Sequence, residues 1–229
     1  MDLIVTSPED LKHRMTEAFE AMVTRAGGRV AVGLSGGGTA LLFLGALREA
    51  SVDWRSIALF WVDERAVGPD DPQSNFGAAR RLLLDPLGAS GPMAWRMPAD
   101  EPDLRAAAAS YDDTLARELG AGGGLDLVIL GIGEDGHLAS LFPGHRALLD
   151  DRMRVVAVED SPKPPPRRLS MTLPFLGRSR DVWIVALGQR KKPVLQGAIT
   201  GDRPTTPLSL LLRQAKHATV FTDQAIQVR

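Results

Sequence analysis

Apolar residues in this chain come in blocks, not in alternation. Val30–Leu34, Ile57–Val62, Leu127–Leu130 and Val182–Leu187 are apolar throughout or broken only by glycine. Strands of that kind are covered on both faces, as in a parallel sheet. Between them lie stretches with helical spacing. Leu11, Met15, Phe19 and Met22 form one stripe, with Ser7 as cap, Pro8 in the first turn and Gly27-Gly28 as stop. Further helices are predicted over 40–50, from near Ser74 through Leu84, over 102–119 with Pro102 near the first turn, from about Arg190, and near 208–213. Val155–Val158, Leu169–Leu173 and Thr219–Thr222 read as additional strands. Ser161-Pro-Lys-Pro-Pro-Pro166 cannot be helical and reads as a rigid extended loop. Buried strands alternating with amphipathic helices predict an α/β fold with a mainly parallel sheet covered on both faces. No internal repeat and no long polar linker is visible, so one domain over residues 1–229 is expected.

Composition narrows the function more than the fold. The 229 residues are 44% hydrophobic and 24% charged, as in ordinary soluble proteins. Lys and Arg total 27 against 28 Asp and Glu, a formal charge of −1 without long runs of one sign, so nucleic acid is not an expected partner. The chain has no cysteine, which excludes disulfides, thiolate catalysis and cysteine metal sites. The first residues lack a basic leader region, and no apolar run approaches the roughly 18 residues needed to cross a bilayer. A cytoplasmic location without membrane contact is therefore expected.

The most informative stretch is Gly131-Ile-Gly-Glu-Asp-Gly-His-Leu-Ala-Ser-Leu-Phe-Pro-Gly144, directly after a buried strand. It joins turn glycines, two carboxylates and His137 at the carboxyl end of that strand, where α/β sheets place their sites. His137 is the best general acid/base candidate, with carboxylates before it to orient the ring. Its bland alternative is a helix-start residue bonded to a backbone carbonyl. The pattern Gly131-x-Gly133-x-x-Gly136 formally matches a dinucleotide loop, but Phe142-Pro143-Gly144 interrupts any following helix after about one and a half turns, so nicotinamide and flavin are disfavoured.

Ser35-Gly36-Gly37-Gly38-Thr39, between a strand and a helix, suits an anion: glycine backbone approaches closely and the helix start supplies N–H groups. Thr39 stands where a nucleotide-binding loop would have lysine, which disfavours nucleoside triphosphates. Asp63-Glu64-Arg65 ends another buried strand; Arg65 either steadies developing negative charge or forms a surface ion pair. Lys163, Arg167, Arg168, Arg190, Lys191 and Lys192 supply cations, one or two of which could complete a phosphate pocket. No histidine or acidic ligand pattern indicates a metal, and no Gly-x-Ser-x-Gly elbow indicates a serine hydrolase.

Taken in order, five blocks resemble the glucosamine-6-phosphate isomerase/6-phosphogluconolactonase family: 35–39, Asp63-Glu-Arg65 with Ser74-Asn75, 131–144, 161–172 and Gly188-Gln-Arg-Lys191. The resemblance covers nearly the whole chain. It implies a three-layer α/β/α sandwich with a Rossmann-like sheet, and no cofactor or obligatory metal. It implies hydrolysis of 6-phospho-D-glucono-1,5-lactone in the oxidative pentose phosphate pathway, with a small sugar phosphate as partner and a monomer or weak homodimer as the assembly. Carried over by position, His137 is the implied base that activates water, Arg65 the group that steadies the carbonyl charge, and Ser35, Gly36, Gly37, Gly38, Thr39, Arg168 and Lys191 the groups that hold the phosphate. Beside the resemblance, Asp135 is expected to orient the imidazole, and Asp63 and Gly133 to position the substrate. Gly38 departs from the family's hydroxyl residue, and Lys192-Pro193 follow Lys191 where an alanine and a polar residue are common. Two other readings compete. An amino-sugar phosphate deaminase would carry an acid where Ser140-Leu141-Phe142 stands, and a sugar-phosphate sensor would need a DNA-binding helix pair, for which the chain shows no stretch before Ser7.

Overall fold

The computed structural model describes residues 1–227. In chain order its strands are β1 (Asp2–Val5), β2 (Val30–Leu34), β3 (Ile57–Trp61), β4 (Asp63–Arg65), β5 (Met93–Trp95), β6 (Leu127–Gly131), β7 (Val155–Val158), β8 (Arg168–Met171), β9 (Asp181–Ala186) and β10 (His217–Thr222). Its α-helices are α1 (Pro8–Ala26), α2 (Ala40–Glu49), α3 (Asn75–Ala79), α4 (Asp85–Leu87), α5 (Leu104–Leu119), α6 (Leu173–Gly177), α7 (Lys192–Thr200) and α8 (Pro207–Gln214).

Seven strands form a wholly parallel sheet in the order β1-β10-β9-β6-β2-β3-β5, flanked by helices as a Rossmann-like α/β/α sandwich. Their inner members β2 and β3 are fully buried, which explains the unbroken apolar runs. From β2 the chain builds outward to β3 and β5; from β6 it builds the other way, to β9 and β10. The order thus reverses between β2 and β6, and the loops leaving their carboxyl ends open a crevice there, the usual ligand position in such sheets.

A second, antiparallel sheet has the order β4-β8-β7. The chain enters it through a single residue. The N–H of Val62 still bonds Leu34 of the parallel sheet at 2.9 Å, while its carbonyl accepts from Met171 of the antiparallel one at 2.7 Å. β4 therefore starts at the carboxyl edge of β3 and carries Asp63 and Arg65 to the crevice. The strands predicted at 155–158 and 169–173 exist but belong to this sheet. One connected set of buried apolar side chains joins the two sheets.

Local chemistry accounts for the helix ends. Ser7 accepts the Asp10 N–H at 3.2 Å, and Gly27 closes α1 with φ 64°. The stripe Leu11, Met15, Phe19 and Met22 is the buried face of α1. α5 starts at Leu104, because the Asp103 carboxylate caps it and leaves Pro102 outside. The helical segment expected to end at Leu84 runs on: α3 ends at Ala79, a π turn covers Arg80–Leu84, and α4 follows, with Pro86 tolerated in its first turn. No helix follows Gly136. Its φ of 84° and the φ of 49° at Ala139 cannot propagate a right-handed helix, and the chain makes tight bridges Ile132↔Leu138 and Leu138↔Leu141 instead.

Candidate active site

The crevice between β2 and β6 has a volume of about 510 Å³. One wall is the glycine loop. Ser35 Oγ accepts the Gly131 N–H at 3.0 Å, which ties the loop after β2 to the end of β6 and leaves the hydroxyl proton to be donated. A side chain at Gly131 would lie 2.7 Å from Thr39 Oγ1. Gly37 turns the loop at φ 86°, a conformation that disfavours any side chain. Thr39 makes no side-chain capping bond and lines the crevice, while the Ala40 N–H turns back to the Gly37 carbonyl at 3.0 Å.

The second wall is β4 with the start of α3. Asp63 is 4% exposed; Asn75 Nδ2 donates to its Oδ1 at 3.3 Å and Ser140 Oγ to its Oδ2 at 2.8 Å. Glu64 points away from the crevice. Its carboxylate accepts from the N–H groups of Arg65, Asn75 and Phe76 and from Ser74 Oγ, all within 3.0 Å, and so pins the amino end of α3. Burial raises the Glu64 pKa; those four bonds oppose the shift without cancelling it. Arg65 donates through Nη1 to Gln73 O at 2.7 Å and Asn75 Oδ1 at 2.6 Å, leaving Nη2 unused in these bonds.

The third wall carries His137. Nδ1 of the ring lies 2.5 Å from Asp135 Oδ1, and the ring stacks on Phe142 with centroids 4.6 Å apart. Lys163 Nζ is 3.2 Å from the same Nδ1 and 3.4 Å from Asp135 Oδ2. Burial lowers the His137 pKa below its ordinary 6.5; Asp135 works against that shift and Lys163 with it. Burial would raise the Asp135 pKa, but its bond to the imidazole and the nearby ammonium bring it net below 3.8. A neutral ring beside an ionised carboxylate carries its proton on Nδ1, so Nε2 is left as the basic atom. Gly133 makes room for this pair: a side chain there would meet His137 Nδ1 at 1.9 Å and Asp135 Oδ1 at 2.3 Å.

Four cations line the crevice, Arg65, Lys163, Arg168 and Lys191, against the carboxylates of Asp63 and Glu134. Arg65 and Arg168 are cross-strand partners in β4 and β8. Arg168 donates through Nε and Nη2 to the carbonyls of Lys163, Pro164 and Pro165, and reaches Ser140 Oγ through Nη1 at 3.4 Å. It thereby fastens the proline loop that carries Lys163. Lys191 is half-buried just before α7, and burial lowers its pKa. Arg167 turns away to Glu159 and Pro102, and Arg190 reaches Glu134 only at 3.8 Å from an exposed position. An arrangement of this kind holds an anion at one end and offers a base at the other. Among the described residues no cluster of three or more His, Asp or Glu could hold a metal ion, and no helix is long and apolar enough to cross a membrane.

The crevice brings together Ser35, Gly36, Gly37, Gly38, Thr39, Asp63, Arg65, Gly133, His137, Arg168 and Lys191; Asp135 stands behind the imidazole. Three lining residues with polar side chains were not singled out as site residues by sequence reasoning: Asn75, Glu134 and Lys163. Lys163 was visible only as one of six late cations, and Asn75 only as part of a motif; their positions depend on pairing between distant strands.

The fold and crevice define an α/β-sandwich protein with a cationic, histidine-bearing site at a parallel sheet's carboxyl edge. A family model described as glucosamine-6-phosphate isomerases/6-phosphogluconolactonase matches residues 6–221, and the chain belongs to that family. A protein named 6-phosphogluconolactonase from Mycobacterium tuberculosis is 39% identical over 202 residues, covering 84% of this chain and 81% of the relative. Its namesake from Streptomyces coelicolor is 33% identical over 198 residues, covering 82% and 76%. The solved 6-phosphogluconolactonase of Trypanosoma cruzi superposes with a TM-score of 0.83 at 27% identity, over 96% of this chain and 93% of that one.

Proposed function

We propose that this protein hydrolyses 6-phospho-D-glucono-1,5-lactone to 6-phospho-D-gluconate, as a step of the oxidative pentose phosphate pathway. The observation that carries the reading is an imidazole, backed by Asp135, in one crevice with a glycine loop and four cations. The names of its relatives support the same substrate.

The phosphate rests on the N–H groups of Gly36–Thr39 and the hydroxyls of Ser35 and Thr39, with Lys191 and the remaining Nη1 proton of Arg168; the Ser35 N–H is held by the Ile129 carbonyl at 3.1 Å. Binding energy from that unreacting end orients C1 of the lactone. His137 Nε2 takes a proton from water as the water oxygen attacks C1. The resulting oxyanion is stabilised by Arg65 Nη2. The C1–ring oxygen bond then breaks, and imidazolium returns its proton to the departing ring oxygen. The acid product ionises and releases one proton to solvent. A general base worth about 10²–10⁴-fold, together with oxyanion stabilisation, suffices for an ester that also opens unaided.

The test is proton release from freshly generated lactone with and without the protein, corrected for spontaneous opening. A rate equal to the uncatalysed one rejects the reading. Ammonia release from glucosamine 6-phosphate would assign the chain to the family's other activity. Buried Ser140, Leu141 and Phe142 supply no carboxylate for the enolisation which that reaction needs.

A further inference from the structure

Asn75 stands at a junction that the proposed chemistry leaves unexplained. It is 3% exposed, and Glu64 Oε1 holds its backbone N–H at 2.8 Å. Its Nδ2 donates to the Asp63 carbonyl at 2.9 Å and to Asp63 Oδ1 at 3.3 Å. Its Oδ1 accepts from Arg65 Nη1 at 2.6 Å. The same oxygen occupies the space beside the glycine loop where a Gly36 side chain would begin. A Cβ on Gly36 would lie 1.7 Å from Asn75 Oδ1, 2.3 Å from Cγ and 3.0 Å from Nδ2. One buried carboxamide therefore touches the anion loop on one side and the guanidinium of Arg65 on the other.

We propose that Asn75 is a positioning residue that couples the glycine loop to Arg65, and that position 36 is glycine chiefly to admit this carboxamide. The inference deepens the lactonase reading and rests on it. Neither neighbouring side chain type could do the same. Aspartate would bring a second carboxylate against Asp63 and has no N–H for the Asp63 carbonyl. Alanine would leave Arg65 with Gln73 O as its remaining hydrogen-bond partner, free to swing on a long side chain. A donor displaced by an ångström loses much of its effect on the transition state while substrate binding, set at the phosphate end, changes little.

The experiment is a double-mutant cycle of Gly36→Ala and Asn75→Ala. It measures kcat and KM on freshly generated lactone, inhibition by inorganic phosphate, and Tm. Asn75→Ala should lower kcat by roughly 10–100-fold, with KM and phosphate inhibition within about threefold of wild type. Gly36→Ala should be severe in the wild-type background and cost less than about threefold when Asn75 is already alanine, a non-additivity expected only of residues in contact. Asn75→Ser serves in the same cycle if the alanine variant does not fold. A kcat within about twofold of wild type, or an equal Gly36→Ala penalty in both backgrounds, overturns the inference. A wild-type protein that leaves the lactone to open unaided overturns the lactonase reading instead.

Discussion

The ammonium nitrogen of Lys163 stands 3.2 Å from Nδ1 of His137, on the ring atom that already faces Asp135. The imidazole thus has a carboxylate and a cation at one nitrogen, and their effects on its protonation oppose one another. Burial decides the balance and holds the ring's pKa below its ordinary value. A cation here also favours return of the proton to the leaving oxygen, because imidazolium and ammonium repel.

This arrangement gives a pH prediction with a definite sign. A base with a lowered pKa is active above that value, so kcat/KM should stay level through neutrality and fall only below pH 6.5, the ordinary histidine value. Lys163→Met removes a charge that lowers the His137 pKa, so the acid limb should move to higher pH. Lys163→Arg should leave it near its place. A limb that does not move in the methionine variant would show that Lys163 has no electrostatic hold on the ring. Stability follows the same linkage. The unfolded chain binds a proton at His137 at higher pH than the native one, so the His137 contribution to stability is intact above pH 6.5 and is lost as pH falls through the lowered native value.

Base and phosphate anchor should separate kinetically. His137→Ala should lower kcat by about 10²–10⁴-fold with little change in KM. Lys191→Ala removes the proposed charge-assisted contact to phosphate and should raise KM by about 10–100-fold, with a smaller effect on kcat. Initial rates across a lactone concentration series, corrected for spontaneous opening, distinguish the two. A His137→Ala enzyme with near-normal kcat would mean that another group activates the water.

Much of this was legible in the residues because the signals are local. An apolar run marks a strand buried on both faces, and Ser7 and Gly27 mark helix ends by their own chemistry. Turn glycines beside His137 mark a site. What stayed hidden depends on distant pairing. Asp63-Glu64-Arg65 is too short and too charged to read as a strand until Arg168–Met171 lies beside it. β5 is three residues long and gains its identity from β3. Val155–Val158 looks like another parallel strand, yet its antiparallel partner lies across the proline loop. Lys163 reaches the imidazole from a loop whose three carbonyls Arg168 gathers and whose ends Ser161 ties together.

Gly133 offers a steric test of the His137 site that leaves every polar group in the sequence intact. An added methyl would overlap Nδ1 of the ring at 1.9 Å and Asp135 Oδ1 at 2.3 Å. Gly133→Ala should therefore displace the imidazole and approach His137→Ala in kcat. Gly37→Ala makes a useful contrast. Its Cβ meets nothing within 4 Å, but φ is 86°, so the penalty there is backbone strain of about 1–2 kcal/mol. That strain should loosen the anion loop and appear mainly in KM. Equal kinetic defects in the two variants would contradict the division of the crevice into a reacting end and an anchoring end.

Tyr111 carries a prediction about the scaffold beneath the site. Its hydroxyl, on a side chain 1% exposed, accepts the Trp61 N–H at 3.0 Å and donates to the Trp95 carbonyl at 2.8 Å. It bridges the ends of β3 and β5 from α5, in the space where their ladder stops. Burial pushes the phenol pKa upward, so the group stays a neutral donor at any working pH. Tyr111→Phe keeps the ring but strands a buried N–H and a carbonyl, which costs about 1–3 kcal/mol. For a chain of this length that corresponds to a Tm lower by roughly 2–12 °C, measurable by thermal unfolding at constant scan rate. Trp61 precedes the Val62 crossover into β4, so the variant also asks how firmly that crossover holds Asp63 and Arg65. With Val62 bonded to both sheets, the crossover should stay in place and kcat at 25 °C should remain within about threefold of wild type. A tenfold loss of kcat at a temperature where the variant is fully folded would mean that the end of β3 moves freely enough to carry the site with it.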